Sequence, residues 1–402
     1  MTMGDKENQE VGTSGQENTL PIGTKSPITV TVGTKGPVLI IGAGLIGGSL
    51  GMALARQGVE VYLRDASPTA VSLAASLGAG KVWESGLPAP RLVVVATPPD
   101  VTANVVEASL QEFPAAMVFD VSSVKTPIVS AVLASAAEAA ARYCSVHPMA
   151  GKEVNGVGAA SADLFTGRPW VIVAHEKTSS AAVLAARTLG TDVGAFLIAL
   201  DPQEHDRAVA LVSHVPQLVS SLMGGLLIEA PVTALELAGG GLRDVTRVAA
   251  SDPRLWNAIL SGNAPAVKTI LEELQHNLSD LIAGLDSGQT TSETPTDPWS
   301  TSSVGAVNTV MTRGNEGVGR IPGKHGDAAS QYGQVAVLVP DEPGFLGRLF
   351  QEIGQANINI EDFRLEHSLG QARGLAIIYV IPASVEPLTA HLQGAGWSVA
   401  SL

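Results

Sequence analysis

The sequence predicts an α/β domain on a doubly wound parallel sheet, then an all-α domain, then a small α+β unit. Three observations predict this order. From residue 37, short apolar runs (VLIIGA, VEVYLRD, RLVVVAT, AMVFDVSS, YCSVHP, PWVIVAH) alternate with Ala-rich stretches. Near-continuous apolar strands separated by helices imply a mostly parallel sheet covered on both faces. From 178 the periodicity becomes helical, with long candidates at 202–229 and 264–284 whose apolar faces and Gly pairs suit helix packing and dimerisation. From 334 the order strand, helix, strand, strand, helix, strand is that of a ferredoxin-like unit.

Taken in chain order, residues 1–35 are rich in Gly, Thr, Ser, Lys and Glu and repeat GTKSP as GTKGP, which predicts a disordered tail. The sheet domain is placed at 36–176 and the helical domain at 177–286. The stretch DSGQTTSETPTDPWSTSSVG opens a predicted linker over 287–332, and the last unit occupies 333–402.

Composition narrows the function. A charge of −14 and an aromatic content of 4% argue against a nucleic-acid surface, since polyanions are repelled and few rings are available for stacking. The single Cys144 excludes an intramolecular disulfide framework and fits a reducing cytoplasm. The apolar run at 37–55 is interrupted by glycines and is not read as a membrane span; nothing before it has the layout of an export signal.

GAGLIG (Gly42, Ala43, Gly44, Leu45, Ile46, Gly47) lies between the strand VLII and an Ala-rich helix, the context in which this pattern binds a dinucleotide. The first glycine permits the tight turn, the second admits a pyrophosphate and the third lets helix and strand pack closely. Asp65 ends the next strand, 65 − 47 = 18 residues on. A carboxylate there accepts from ribose hydroxyls and repels a 2′-phosphate, which favours NAD over NADP, although Arg64 beside it works the other way. Thr97 and Pro98 follow the strand RLVVVA and are expected to line the nicotinamide end, and Ser122 is added to the cofactor wall.

Three stretches supply polar groups at strand or helix ends: DVSSVK, SVHPMAGKE and GGGLRDVTRVAASDP. His147 can take a proton near neutral pH, Ser123 can orient it, and Arg243 or Arg247, four apart on a predicted helix, can clamp a carboxylate in a bidentate fork. Taken singly, His147 is as readily a structural histidine, Ser123 a turn residue and Arg247 a surface charge. Beside a dinucleotide fold they combine into a hydride-transfer site. No cluster suggests a metal.

Those blocks, with VSHVPQ and RLWNAI, resemble the prephenate and arogenate dehydrogenases of tyrosine biosynthesis over residues 37–285, in order and at similar spacing. The resemblance implies NAD-dependent oxidative decarboxylation. Hydride leaves a cyclohexadienol carbon while His147 takes the hydroxyl proton, Ser123 bonds both, and Arg247 holds a substrate carboxylate. It places Glu153, Ser213, His214, Arg243 and Trp256 at substrate-site positions, Trp256 from a partner subunit of a homodimer. Gln217 stands where many relatives have histidine, so prephenate and arogenate stay open as substrates. The segment 313–326 and the unit 333–402 resemble the linker and ACT domain appended to some of these enzymes. In that unit Asp341, Gly344, Asn357 and Asn359 are expected to bind an amino-acid effector such as tyrosine.

Two other classes compete. A non-catalytic NAD and amino-acid sensor would need none of His147, Ser123 and Arg247. A β-hydroxyacid dehydrogenase shares the plan but is expected to carry a catalytic lysine on its long helix, and 202–229 contains none.

Overall fold

The computed structural model describes residues 33–152, 154, 156–286, 301–322, 332–367 and 372–400. Residues 1–32 of the predicted tail, Glu153, and 287–300 and 323–331 of the predicted linker lie outside the described residues.

The first unit runs β1 (Val38–Ile41), α1 (Leu45–Arg56), β2 (Val61–Arg64), α2 (Pro68–Ser76), β3 (Lys81–Val82), β4 (Leu92–Val95), α3 (Pro99–Glu112), β5 (Met117–Asp120), α4 (Thr126–Ser135), β6 (Tyr143–Pro148), β7 (Pro169–Val173), α5 (Ser180–Asp192) and β8 (Phe196–Ala199). The strands form one sheet in the order β3-β2-β1-β4-β5-β6-β7-β8. Alternation explains its two cores: Val38 and Ile40 of β1 pack into one cluster, Leu39 and Ile41 into the cluster on the opposite face. Winding reverses between β1 and β4, so the loops after β1, β4 and β5 open at one edge, where ligands bind in such sheets.

Three expectations are corrected here. The sheet does not end at 176: α5 and β8 extend it to Ala199, β7 pairs antiparallel with β6, and β8 runs parallel to β7. The tail does not reach 35, because the backbone N–H groups of Gly33 and Thr34 donate to the Asp192 carboxylate at 3.1 and 2.7 Å. The long helix stops before 229. It comprises α6 (Pro202–Val209), a π-helical turn over Ala210–His214, and α7 (Val215–Gly225).

The helical unit continues with α8 (Val232–Leu235), α9 (Gly240–Thr246), α10 (Pro253–Gly262) and α11 (Ala264–Asp286). Asp201 caps α6 through a capping box with Glu204, which fixes where the helix starts. Among the described residues its own apolar cluster is small, with Ala210, Val215 and Val267 as its buried members. The predicted linker contains α12 (Thr301–Val318), an antiparallel partner of α11 joined to it by Ser303 Oγ to the Gly284 carbonyl (3.3 Å) and Arg313 to Asn277 (3.2 Å). Ser/Thr-rich composition concealed this helix; its Val304, Val307, Val310 and Met311 follow helical spacing.

The last unit is β9 (Gly333–Pro340), α13 (Phe345–Gln355), β10 (Asp362–His367), β11 (Arg373–Val380), α14 (Val385–Gly394) and β12 (Ser398–Ala400). Its antiparallel sheet has the order β10-β11-β9-β12, the ferredoxin-like order predicted. The Arg364 guanidinium of β10 meets Asp244 of α9 at 3.4 Å, joining the unit to the helical part.

Candidate active site

The glycine loop has the geometry its sequence predicts. Gly42 has φ +109°, and a Cβ on it would strike the Ala96 carbonyl; one on Gly47 would strike the Gly42 carbonyl. Gly44, by contrast, has no neighbour within 4 Å of its absent Cβ, and no side chain caps α1. Open space beside uncapped helix N–H groups is what a dinucleotide pyrophosphate requires, so the loop fits that group. Leu45 and Ile46 form the helix's first turn. Asp65 stands just beyond β2, its carboxylate accepting from the N–H groups of Ala43 (2.6 Å) and Ser67 (2.8 Å). Arg64 is drawn away by a bidentate pair with Glu112 (2.7 and 2.8 Å) and lies over the rings of Trp83 and Phe113. That engagement turns the Arg64 guanidinium toward Glu112. Thr97 and Pro98 stand at the start of α3, where Thr102 Oγ1 accepts or donates with Thr97 Oγ1 at 3.0 Å.

Beyond this edge lies a cavity of about 400 Å³ lined by Ser123, His147, Met149, Lys152, Ser213, His214, Gln217, Val248 and Trp256, among others. It gathers residues from the end of β5, the end of β6, the π turn, α7 and α10. Ser122, one residue earlier, is buried with its hydroxyl unpartnered in the structure. His147 pairs with Val171 of β7 and Pro148 closes the strand, so the imidazole is held at the sheet's edge. The π turn widens the helix where Ser213 and His214 reach the cavity, a common device at functional sites.

Beneath the cavity a buried network holds these loops. Asp120 accepts from the Ser122 N–H (3.0 Å), Tyr143 Oη (2.7 Å), Ser145 Oγ and Lys125 Nζ (2.7 Å). Lys125 is fully buried and also donates to the Val146 carbonyl at 2.6 Å, next to His147. Burial pushes the Lys125 ammonium down from its usual range, while Asp120 pulls it back up.

His147 Nδ1 bonds to His205 Nε2 at 2.8 Å, and His205 Nδ1 to Asp206 at 2.8 Å. Asp206 also accepts from the N–H groups of Lys125 and Thr126 at 2.9 and 2.8 Å, at the start of α4. Burial, then the neighbouring His205, Lys125 and His214, hold His147 well below the usual histidine range. Burial lowers His205 as well, and brings His214 to about 4. Burial acts to raise Asp206, but the hydrogen bonds from His205 and Thr126 outweigh it and the carboxyl ends below its usual range. Near neutral pH the site therefore holds neutral imidazoles against a carboxylate.

Several expectations change. His147 takes its Nδ1 partner from His205, not from Ser123. This chain's own Trp256 lines the cavity, its ring edge-on to His214 at 6.0 Å. Gln217 lines the cavity, yet its amide is engaged, donating to the Val248 carbonyl (2.7 Å) and accepting from Ser251 Oγ (3.2 Å). Arg243 and Arg247 are exposed and outside the cavity wall, because α9 ends at Thr246 and Arg247 opens a 3-10 turn instead of continuing the same helical face. Among the described residues the cation in the wall is Lys152, which the sequence reading quoted but gave no role. His205 and Asp206 were likewise missed; the only signal was an adjacent His-Asp pair in the first turn of a capped helix.

In the last unit, a cavity of about 380 Å³ is lined by Asp341, Glu342, Pro343, Gly344, Leu346 and Leu365. Gly344 starts α13 at φ +93°, in the left-handed region. Asn357 and Asn359 are exposed and do not line it; Asn359 bonds Glu361 at 2.9 Å.

Fold and site define a dinucleotide-dependent dehydrogenase whose polar pocket sits beside the nucleotide edge. The profile described as "Prephenate dehydrogenase, nucleotide-binding domain" matches residues 50–199, and "Prephenate dehydrogenase, dimerization domain" matches 201–293. The chain belongs to the prephenate dehydrogenase family. It is 32% identical over 364 residues to a probable prephenate dehydrogenase, NovF, of Streptomyces niveus, covering 89% of this chain and 98% of that one. It is 30% identical over 257 residues to the prephenate dehydrogenase of Bacillus subtilis, covering 60% and 67%. The solved prephenate dehydrogenase of A. aeolicus, in complex with hydroxyphenyl propionate and NAD+, superposes with a TM-score of 0.59 at 26% identity, over 69% of this chain and 97% of that one. The boundary between the two matched segments falls where β8 ends.

Proposed function

We propose that the protein is an NAD-dependent prephenate dehydrogenase that converts prephenate to 4-hydroxyphenylpyruvate and CO2. The observation that carries this reading is the placement of His147 at the cavity wall, on the same edge of the sheet as a glycine loop that fits NAD. Bound NAD supplies the acceptor for the hydride from ring carbon C4. His147 takes the C4 hydroxyl proton as that hydride departs, since a carbinol carbon releases hydride readily only as its oxygen is deprotonated. The ring carboxylate then leaves as CO2, its bonding pair enters the ring, and the proton returns to the oxygen as the phenol forms.

Ser123 and Ser213 orient the hydroxyl and His214 bounds the ring. Lys152 in the wall and Arg247, next to the wall residue Val248, hold the substrate's carboxylates; Arg243 supports the same end. Ser122, Thr97, Pro98 and Asp65 form the cofactor wall. The apolar residues left uncovered on the helical part, Leu222, Leu226, Ile228 and Leu237 among them, support a homodimer, as does the matched segment's description. The single buried thiol suits the cytoplasm. The C-terminal unit we read as an ACT domain, with the Pro340–Gly344 cavity taking an amino-acid effector, tyrosine first.

The test is NADH formation with prephenate and arogenate offered separately, each with NAD and NADP. Prephenate with NAD is expected to be the productive pair; preference for arogenate would reassign the substrate, and no reduction in any combination would leave a sensor. Unchanged initial rates over a wide range of tyrosine, phenylalanine and tryptophan would remove the effector reading.

A further inference from the structure

We propose that His205 is a positioning residue that sets the tautomer of His147, with Asp206 holding His205 in turn. The inference rests on reading His147 as the base. The bonds determine where each proton sits. Asp206 receives two backbone N–H groups from the start of α4, so its carboxylate can only accept from His205 Nδ1. His205 must then carry its proton on Nδ1. His205 is fully buried, and a neutral imidazole with a proton on Nδ1 has a bare Nε2. That bare nitrogen lies 2.8 Å from His147 Nδ1, so His147 is the donor there and its own Nε2 keeps a lone pair. His147 lines the cavity, and Nε2 is the ring nitrogen left to face it.

Each link orients the next, from a helix N-terminus through a carboxylate and one imidazole to a second imidazole. The arrangement also suits the charged state. When His147 Nε2 takes the substrate proton, the new charge is shared along a bond to His205, whose other nitrogen faces Asp206, so no proton has to move along the chain.

The same network orients His214 in the opposite sense. The Asn263 amide donates one hydrogen to the Asp206 carbonyl (2.7 Å) and the other to His214 Nδ1 (3.2 Å), which puts the His214 proton on Nε2. His214 also lines the cavity, so the pocket presents one imidazole acceptor and one imidazole donor. A hydroxyl placed between them can give its proton to His147 while its oxygen accepts from His214.

The test uses the full chain labelled with 15N-histidine, and the variants His205→Leu and His205→Gln. Wild type is expected to show His147 as the Nδ1–H tautomer at pH 7.5. His205→Leu is expected to lose that signature and to lower kcat about a hundredfold or more with little change in KM. His205→Gln keeps a carbonyl oxygen able to accept from Nδ1–H, and is expected to restore both the tautomer and at least a tenth of kcat. An Nε2–H tautomer in wild type, or equal kcat losses in both variants with the His147 tautomer unchanged, would overturn the proposal. The NMR readout needs no substrate, so failure of the chain to oxidise prephenate or arogenate would count against the function and leave this inference to be judged separately.

Discussion

Lys125→Met removes a fully buried ammonium from its partner. Lys125 and Asp120 are both without solvent exposure, 2.7 Å apart, and Lys125 additionally holds the Val146 carbonyl. The substitution leaves Asp120 with donors from Ser122, Tyr143 and Ser145 but without a countercharge. Breaking a buried pair from one side costs roughly 3–5 kcal/mol. At roughly 2–4 °C per kcal/mol for a unit of this size, that is a fall in Tm of about 6–20 °C, readable by far-UV circular dichroism of the full chain. Because the lost bond to Val146 adjoins His147, kcat should fall more than KM rises. Lys125→Met with Asp120→Asn removes both charges, and the double variant should recover at least about 1 kcal/mol relative to the sum of the singles. A single-variant Tm within about 2 °C of wild type, or strict additivity in the cycle, would refute the view that this pair anchors the loops.

Three further outcomes are expected. Histidines with folded pKa values below their unfolded ones stabilise the fold above the unfolded value near 6.5 and lose that contribution as pH falls through the folded value. Equilibrium unfolding should thus show stability falling from pH 7 toward about 4, the value for His214, and the acid limb of kcat/KM should lie below pH 6.5. Gly44→Ala should leave Tm unchanged and weaken NAD binding about tenfold, whereas Gly47→Ala, whose Cβ meets the Gly42 carbonyl, should also cost about 1–3 kcal/mol of stability; calorimetric titration and melting separate the two. Gly344→Ala forces a side chain into a left-handed position at about 1–2 kcal/mol. It should blunt the response to tyrosine while basal kcat stays within about twofold; an unaltered response would remove that cavity from the effector role.

Elements whose meaning is local were legible in the chain. GAGLIG can be read because each glycine answers a steric demand made within the same turn, and Gly42 and Gly47 make those demands in the structure. The apolar strands and the βαββαβ order followed from period and composition. His147 and Ser123 were named from their motifs, Ser213, His214, Gln217 and Trp256 from the family resemblance, and all of them line one cavity.

What stayed out of reach depends on contacts between distant segments. Apolar alternation does not record strand direction, so the antiparallel β7 was not foreseen. A helical face was assumed through Arg243 and Arg247, and the 3-10 turn at Arg247 broke it. His147 and His205 are 58 residues apart. Their bond exists because the start of α6 packs where β6 ends and α4 begins, and a hydrogen bond with a 2.8 Å reach is set by that packing and by no periodicity in the chain. The sequence singled out His147 as the candidate base; the packing of α6 against the sheet decided which of its ring nitrogens meets His205.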